Sequence, residues 1–268
     1  MAAIPSPEET SHARSLLKFI DASPSPWHAV ASVRATLEKA GFSELHEQDA
    51  WHIEPGSLGF VIRGDSSIIA FKAGSEAPKD HGYRILGAHT DSPGLRVKPQ
   101  GHLREGRLIR LGVEVYGGPI LATFSDRDLS LAGRISLLEG GKIQSSLVRF
   151  EEPLIRLPNL AIHMNRGVNE EGLKFNKQTE LPLILGQLLS EEHSHPLLLD
   201  AVAERLGADP SSLLSLELNV YDTQAGALWG LHQEFLASRQ IDNLSSCFAT
   251  LNALVASSAT AQTQVIAL

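Results

Sequence analysis

The stretch "ILGAHTDSPGLRVKP" (85–99) carries a histidine and an aspartate, His89 and Asp91, directly after a short apolar run. That puts them where a strand gives way to a loop, the strand end from which α/β sheets present functional groups. Imidazole is the commonest zinc-binding side chain. In His-x-Asp, the aspartate either holds the second ring nitrogen and fixes the tautomer, or serves as an acid behind the metal. The plainer reading is a surface histidine followed by a turn-forming aspartate. On these residues alone both stand.

Two further residues have the right chemistry. Asp242 in "RQIDNLSS" precedes a helical pattern, the usual place of an N-cap. It becomes a metal bridge only if that helix start faces the His89 strand end. His163 in "LPNLAIHMNRG" closes an apolar run, where a lone histidine is ordinarily structural. Other combinations are weaker. "EEP" (151–153) and "EEHSHP" (191–196) read as solvated glutamates, "RGD" (63–65) as a hairpin turn and "DRD" (126–128) as a salt-bridge knot. "NLS" (243–245) matches a glycosylation sequon but opens a buried-looking helix. HExxH, GxSxG, CxxC and the P-loop pattern are absent, which disfavours thermolysin-like, serine-hydrolase, dithiol-redox and NTPase chemistry.

The elements that must position these residues read as an α/β fold. Residues 13–41 form an amphipathic helix pair broken by "DASPSPWH", with Val30, Val33, Leu37 and Ala40 at helical spacing. Short strands follow at 58–64, 67–74 and 83–91, and "RILGAH" is apolar enough for a buried central strand. Residues 95–160 alternate in period two between Gly-Gly turns and form a β-rich segment. Residues 181–206 turn helical ("LPLILGQLL", then "PLLLDAVAERLG"), and "LLSLELNVYDTQ" returns to strand. Past Ser238 a loop opens a helix with Leu244, Phe248, Leu251 and Leu254 at helical intervals, and "TQVIAL" is a last strand. The parse is an α/β domain in two pieces, 1–97 and 236–268, interrupted by a β-rich insertion at 98–235.

Composition limits the partners. A chain of 268 residues with 43% apolar and 20% charged residues has room for a real core. Its net charge of −8 speaks against a nucleic-acid surface. The lone cysteine, Cys247, rules out an intrachain disulfide, and no run approaches the length of a membrane span. No signal peptide is visible, so a cytoplasmic protein is expected.

The blocks "GAHTDSPGLRVKP", "VEVYGG", "DRDLSLAGR", "LPNLAIHMNRGVNE" with "ELPLIL", "YDTQ" and "IDNLSSCFATLNAL" occur in an order that resembles the M18 aspartyl aminopeptidases, from "SPSPWHA" onward. In "YGGPILATFSDRDL" the chain is smaller and less aromatic than the tryptophan-containing version common in that family. The resemblance implies a di-zinc exopeptidase-like α/β domain interrupted by an inserted β-rich dimerisation domain, with dimers assembling into dodecamers. It implies that His89 binds one of two Zn2+ ions, that Asp91 is the acid behind it, and that Asp242 bridges both metals. His163 matches a histidine contributed across a dimer interface to a neighbour's active site, where it would stabilise an oxyanion. The implied activity is release of N-terminal residues from peptides, Asp or Glu preferentially, with two metals activating a water and a glutamate accepting its proton.

In the family an adjacent Glu-Glu pair, a further Asp and a final His ligand follow the strand that corresponds to "TQVIAL", and this sequence stops at Leu268. The expectation is therefore the N-terminal part of such an enzyme, inactive as these 268 residues alone. The alternative is a fragment that serves only as an oligomerisation or binding module.

Overall fold

A computed structural model describes residues 4–189 and 196–268. From the N-terminus come helices α1 (Pro7–Asp21) and α2 (Pro26–Lys39), strands β1 (Ser43–Glu44), β2 (Leu58–Arg63) and β3 (Ser67–Lys72), the one-turn α3 (Pro78–His81) and strand β4 (Tyr83–Gly87). Next are β5 (Gly94–Glu105), β6 (Leu108–Tyr116), β7 (Leu129–Glu139), β8 (Lys142–Arg149), the short α4 (Val168–Glu171), β9 (Leu183–Gln187), α5 (Leu197–Leu206) and β10 (Leu213–Asp222). The chain closes with β11 (Ala227–Trp229), β12 (Phe235–Ala237), α6 (Ile241–Ala256) and β13 (Thr263–Ala267).

Two compact units result: residues 1–92 with 225–268, and Pro93–Gln224 between them. The chain changes units slightly earlier than the junctions drawn at 97/98 and 235/236. The whole of the long β5 belongs to the inserted sheet, and the β11–β12 hairpin belongs with α1.

The first unit is a five-stranded mixed sheet in the order β1-β2-β3-β13-β4. Strand β13 enters between β3 and β4, antiparallel to β3 and parallel to β4. A parallel pair needs a crossover, and here the connection from β4 to β13 includes the entire second unit and α6. Helix α1 starts on a capping box: the Ser6 hydroxyl accepts the Glu9 N–H, and the Glu9 carboxylate accepts the Ser6 N–H at 2.8 Å. These bonds hold the Glu9 carboxyl below the usual glutamate range. Pro7 at the first helical position completes the signal, so α1 begins well before residue 13. Ile20, Val33 and Leu37 from the helix pair and Leu244 and Leu251 from α6 bury their side chains with Phe60, Ile68 and Ile266 of the sheet. Each such side chain contributes roughly 1.5–3 kcal/mol by leaving water. Arg63-Gly64-Asp65 is the β2–β3 turn, with φ near +58° at both Gly64 and Asp65, so the "RGD" is hairpin geometry.

One expectation fails here. "RILG" is not a buried central strand: β4 stands last in the sheet order, and Tyr83, Ile85 and Leu86 are exposed. Among the described residues its one neighbour, β13, covers one edge, so its apolar content does not translate into burial here.

The second unit is a six-stranded antiparallel sheet in the order β8-β7-β10-β5-β6-β9. Its core gathers Leu95, Leu111, Leu129, Leu131, Ile135 and Leu183, joined by Leu198 and Val202 of α5. Gly133 lies in the middle of β7 because a Cβ there would sit 1.9 Å from the carbonyl oxygen of Glu217 on β10. "LPLILGQLL" is not helical, as expected from its leucines, but forms β9 paired with β6. Pro182 and Gly186 disfavour a helix there, and a short apolar run has no periodicity to separate the two states.

Candidate metal centre

Strand β4 ends at Gly87, Ala88 donates its N–H to the Ala267 carbonyl at 3.0 Å, and the chain then leaves the sheet at His89. The His89 ring is 3.0 Å through Nδ1 from the backbone oxygen of Asp91 and 3.2 Å from its carboxylate Oδ1. Both partners are acceptors that a hydrogen on Nδ1 would satisfy, which leaves Nε2 on the opposite side of the ring. That nitrogen faces the carboxylate of Asp242, with 3.6 Å to Oδ1.

Asp242 is not an N-cap. The start of α6 has no side-chain cap bond, and Asp242 (φ −84°, ψ 110°) and Asn243 (φ −121°, ψ 22°) lie outside helical geometry, joined by a cis peptide. The Asp242 carboxylate is 81% exposed and faces the His89 ring, which is 52% exposed. The helix start therefore faces the strand end, the condition under which the two residues form one site.

The loop 89–92 is tied down on several sides. The buried Thr90 donates its hydroxyl to the Ser66 carbonyl at 2.8 Å. Ser92 donates to the Asp242 carbonyl at 2.8 Å, and the buried Cys247 thiol to the His89 carbonyl at 3.2 Å. Burial, aided by the nearby Asp91 charge, pushes the Cys247 thiol up to about 11, so it keeps its proton and donates at neutral pH. Sequence reading passed over Ser92 and Cys247, although both stand inside the motifs that bear His89 and Asp242.

One imidazole nitrogen and one carboxylate oxygen are a donor set suited to zinc. Bond lengths of about 2.0–2.2 Å at a tetrahedral angle separate two such donors by about 3.4 Å. The 3.6 Å between His89 Nε2 and Asp242 Oδ1 fits that spacing. Asp91 is turned to the other ring nitrogen of His89. Among the described residues no group of three or more His, Cys, Asp or Glu side chains is placed to hold a metal, so the pair supplies half of a four-coordinate sphere.

His163 belongs to the second unit, on an exposed turn, and is not a buried structural histidine. Its arm is anchored upstream by the "DRD" segment: Asp126 Oδ1 accepts the Asn159 N–H at 2.9 Å, and Arg156 bonds Asp128 Oδ1 at 2.9 Å and the Asp126 carbonyl at 2.8 Å. Arg127 pairs with Asp222 at 3.0 Å. Glu152 of "EEP" is held by Arg205. Residues 191–195 of "EEHSHP" lie outside the described residues.

Residues 19–268 match the family model described as Aminopeptidase I zinc metalloprotease (M18). The chain belongs to the M18 aminopeptidase family. It is 49% identical over 245 residues to "Probable M18 family aminopeptidase 2" of Ectopseudomonas mendocina (strain ymp), which covers 91% of this chain and 57% of that relative. Among solved structures, that of the Ape4 and Nbr1 complex superposes with a TM-score of 0.93 at 35% identity over 99% of this chain and 56% of that one. Chaetomium thermophilum mApe1 follows with 0.88 and 31%, over 96% of this chain and 62% of its own. The M18 fold is thus an α/β domain with a β-rich insertion, as the motifs implied, and this chain spans less than two thirds of the relatives it matches.

Proposed function

We propose that this M18 chain provides part of a zinc-dependent aminopeptidase that releases N-terminal residues, preferentially Asp or Glu, from peptides in the cytoplasm. The observation that carries the reading is the pairing of His89 Nε2 with Asp242 Oδ1 at 3.6 Å, with His89 Nδ1 engaged by Asp91. In this reading His89 and Asp242 would be the side chains that hold the zinc. Asp91 fixes the imidazole tautomer and raises its basicity. Bound zinc polarises a peptide carbonyl and acidifies water. His163, exposed among the exposed apolar residues Leu160, Ile162 and Met164, has the surroundings of a side chain handed across a subunit interface. The inserted β-rich unit is then the dimerisation element of a dodecamer built from dimers. In keeping with a cytoplasmic enzyme, no helix among the described residues is long and apolar enough to cross a membrane.

The test has two parts. Purified as these 268 residues, the protein is expected to hold well under stoichiometric zinc and to leave Asp- and Glu-p-nitroanilide intact, because two ligands do not complete a zinc sphere. The nucleotide sequence past codon 268 is expected to continue in frame into a Glu-Glu pair, and the longer product to hydrolyse both substrates in a zinc-dependent way. Full metal occupancy with turnover by the 268 residues, or an inactive longer product, would overturn the assignment. A second reading, a non-catalytic oligomerisation module, is favoured by the absence of a three-donor cluster among the described residues. It requires self-association in sedimentation without activity in either product.

A further inference from the structure

The two candidate ligands are held together by hydrogen bonds that cross. Ser92 lies three residues beyond His89, yet its hydroxyl donates to the main-chain carbonyl of Asp242 at 2.8 Å. Cys247 lies five residues beyond Asp242, yet its thiol donates to the main-chain carbonyl of His89 at 3.2 Å. Each ligand's own segment thus carries a donor that grips the backbone of the other ligand.

The backbone explains why such donors are needed. With ψ at 110°, the Asp242 carbonyl is swung out of the direction a helical carbonyl takes. The His89 carbonyl lies beyond the last β4–β13 register pair, Gly87 with Ala267, so the sheet does not fix it. Ser92 and Cys247 supply the donors that hold these two carbonyls in place. Neither side chain is bonded to the imidazole or the carboxylate itself, so both act through the main chain.

We propose that Ser92 and Cys247 are positioning residues that set the gap between His89 Nε2 and Asp242 Oδ1, and with it the metal affinity of the pair. The second half of this statement rests on the zinc reading; the first half does not.

Both halves are measured on the 268-residue protein. In its metal-free form, Ser92→Ala and Cys247→Ala are expected to speed amide hydrogen exchange at residues 89–92 and 241–244. Ser92→Thr and Cys247→Ser keep a hydroxyl donor and are expected to restore slow exchange. In zinc titrations followed by the imidazole 15N resonances, the alanine variants are expected to weaken the His89 response by about tenfold or more, with the conservative variants close to the parent. Thermal midpoints separate this from general loosening, since the serine and threonine variants carry comparable packing changes but retain the bond. Parent-like exchange in both alanine variants overturns the proposal, and so does failure of both conservative variants to rescue. If His89→Ala leaves zinc binding unchanged, the zinc reading falls, while the exchange data still decide whether Ser92 and Cys247 position the pair.

Discussion

Strands β4 and β7 are both apolar runs, and the two units treat them in opposite ways. In β7, Leu129, Leu131 and Ile135 are fully buried, with β8 and β10 on either side. In β4, Ile85 is 63% exposed, and among the described residues the only neighbour is β13. The composition of the two strands is similar; the number of neighbours is not. Apolar residues therefore specify a capacity for burial, and the sheet order decides whether it is realised.

The sharpest way to break that comparison is truncation. Leu131→Ala is expected to cost roughly 3–4 kcal/mol in urea denaturation, because it leaves a cavity in a closed core. Ile85→Ala is expected to stay within about 0.5 kcal/mol. A cost at Ile85 as large as at Leu131 would mean that β4 is covered in solution.

Alkaline titration sharpens it next, from the buried side of the first unit. The Cys247 thiol is neutral in the fold up to about pH 11 and ionises near its ordinary value of 9 once unfolded. The unfolded state therefore binds fewer protons over that interval. Stability present below pH 9 is lost as pH rises towards 11, by roughly 2–3 kcal/mol. Cys247→Ser removes this slope, and an unchanged slope in that variant would assign it to another group.

Smaller effects belong to surfaces that the sequence already advertises. Ser6→Ala, which opens the α1 capping box, is expected to cost about 1 kcal/mol in thermal denaturation. Arg34→Ala, which removes bonds to Glu38 at 2.9 Å and Glu44 at 2.8 Å, is expected to cost under about 1 kcal/mol. That loss should shrink further in high salt, where exposed pairs are screened.

These cases show which parts of the fold were legible. The α6 spacing of Leu244, Phe248, Leu251 and Leu254 announced a helix, and those residues are its buried face. The "SPEE" capping box is equally explicit at the other end of the chain. "LPLILGQLL" is not legible as a strand because a five-residue strand is too short for periodicity to identify.

By itself the sequence determined the chemistry on offer: which side chains are donors, which segments are helical or extended, and where loops interrupt them. All of that rests on interactions among near neighbours in the chain. Only the tertiary structure decided that Asp242 faces His89 instead of capping a helix, and that Ser92 grips the Asp242 backbone and Cys247 that of His89. Those bonds join residues 150 and 158 positions apart, and they form only where β4 and the start of α6 are brought side by side. Distance along the chain carries no signal of that meeting; the sheet order that places β13 next to β4, with α6 leading into it, creates it.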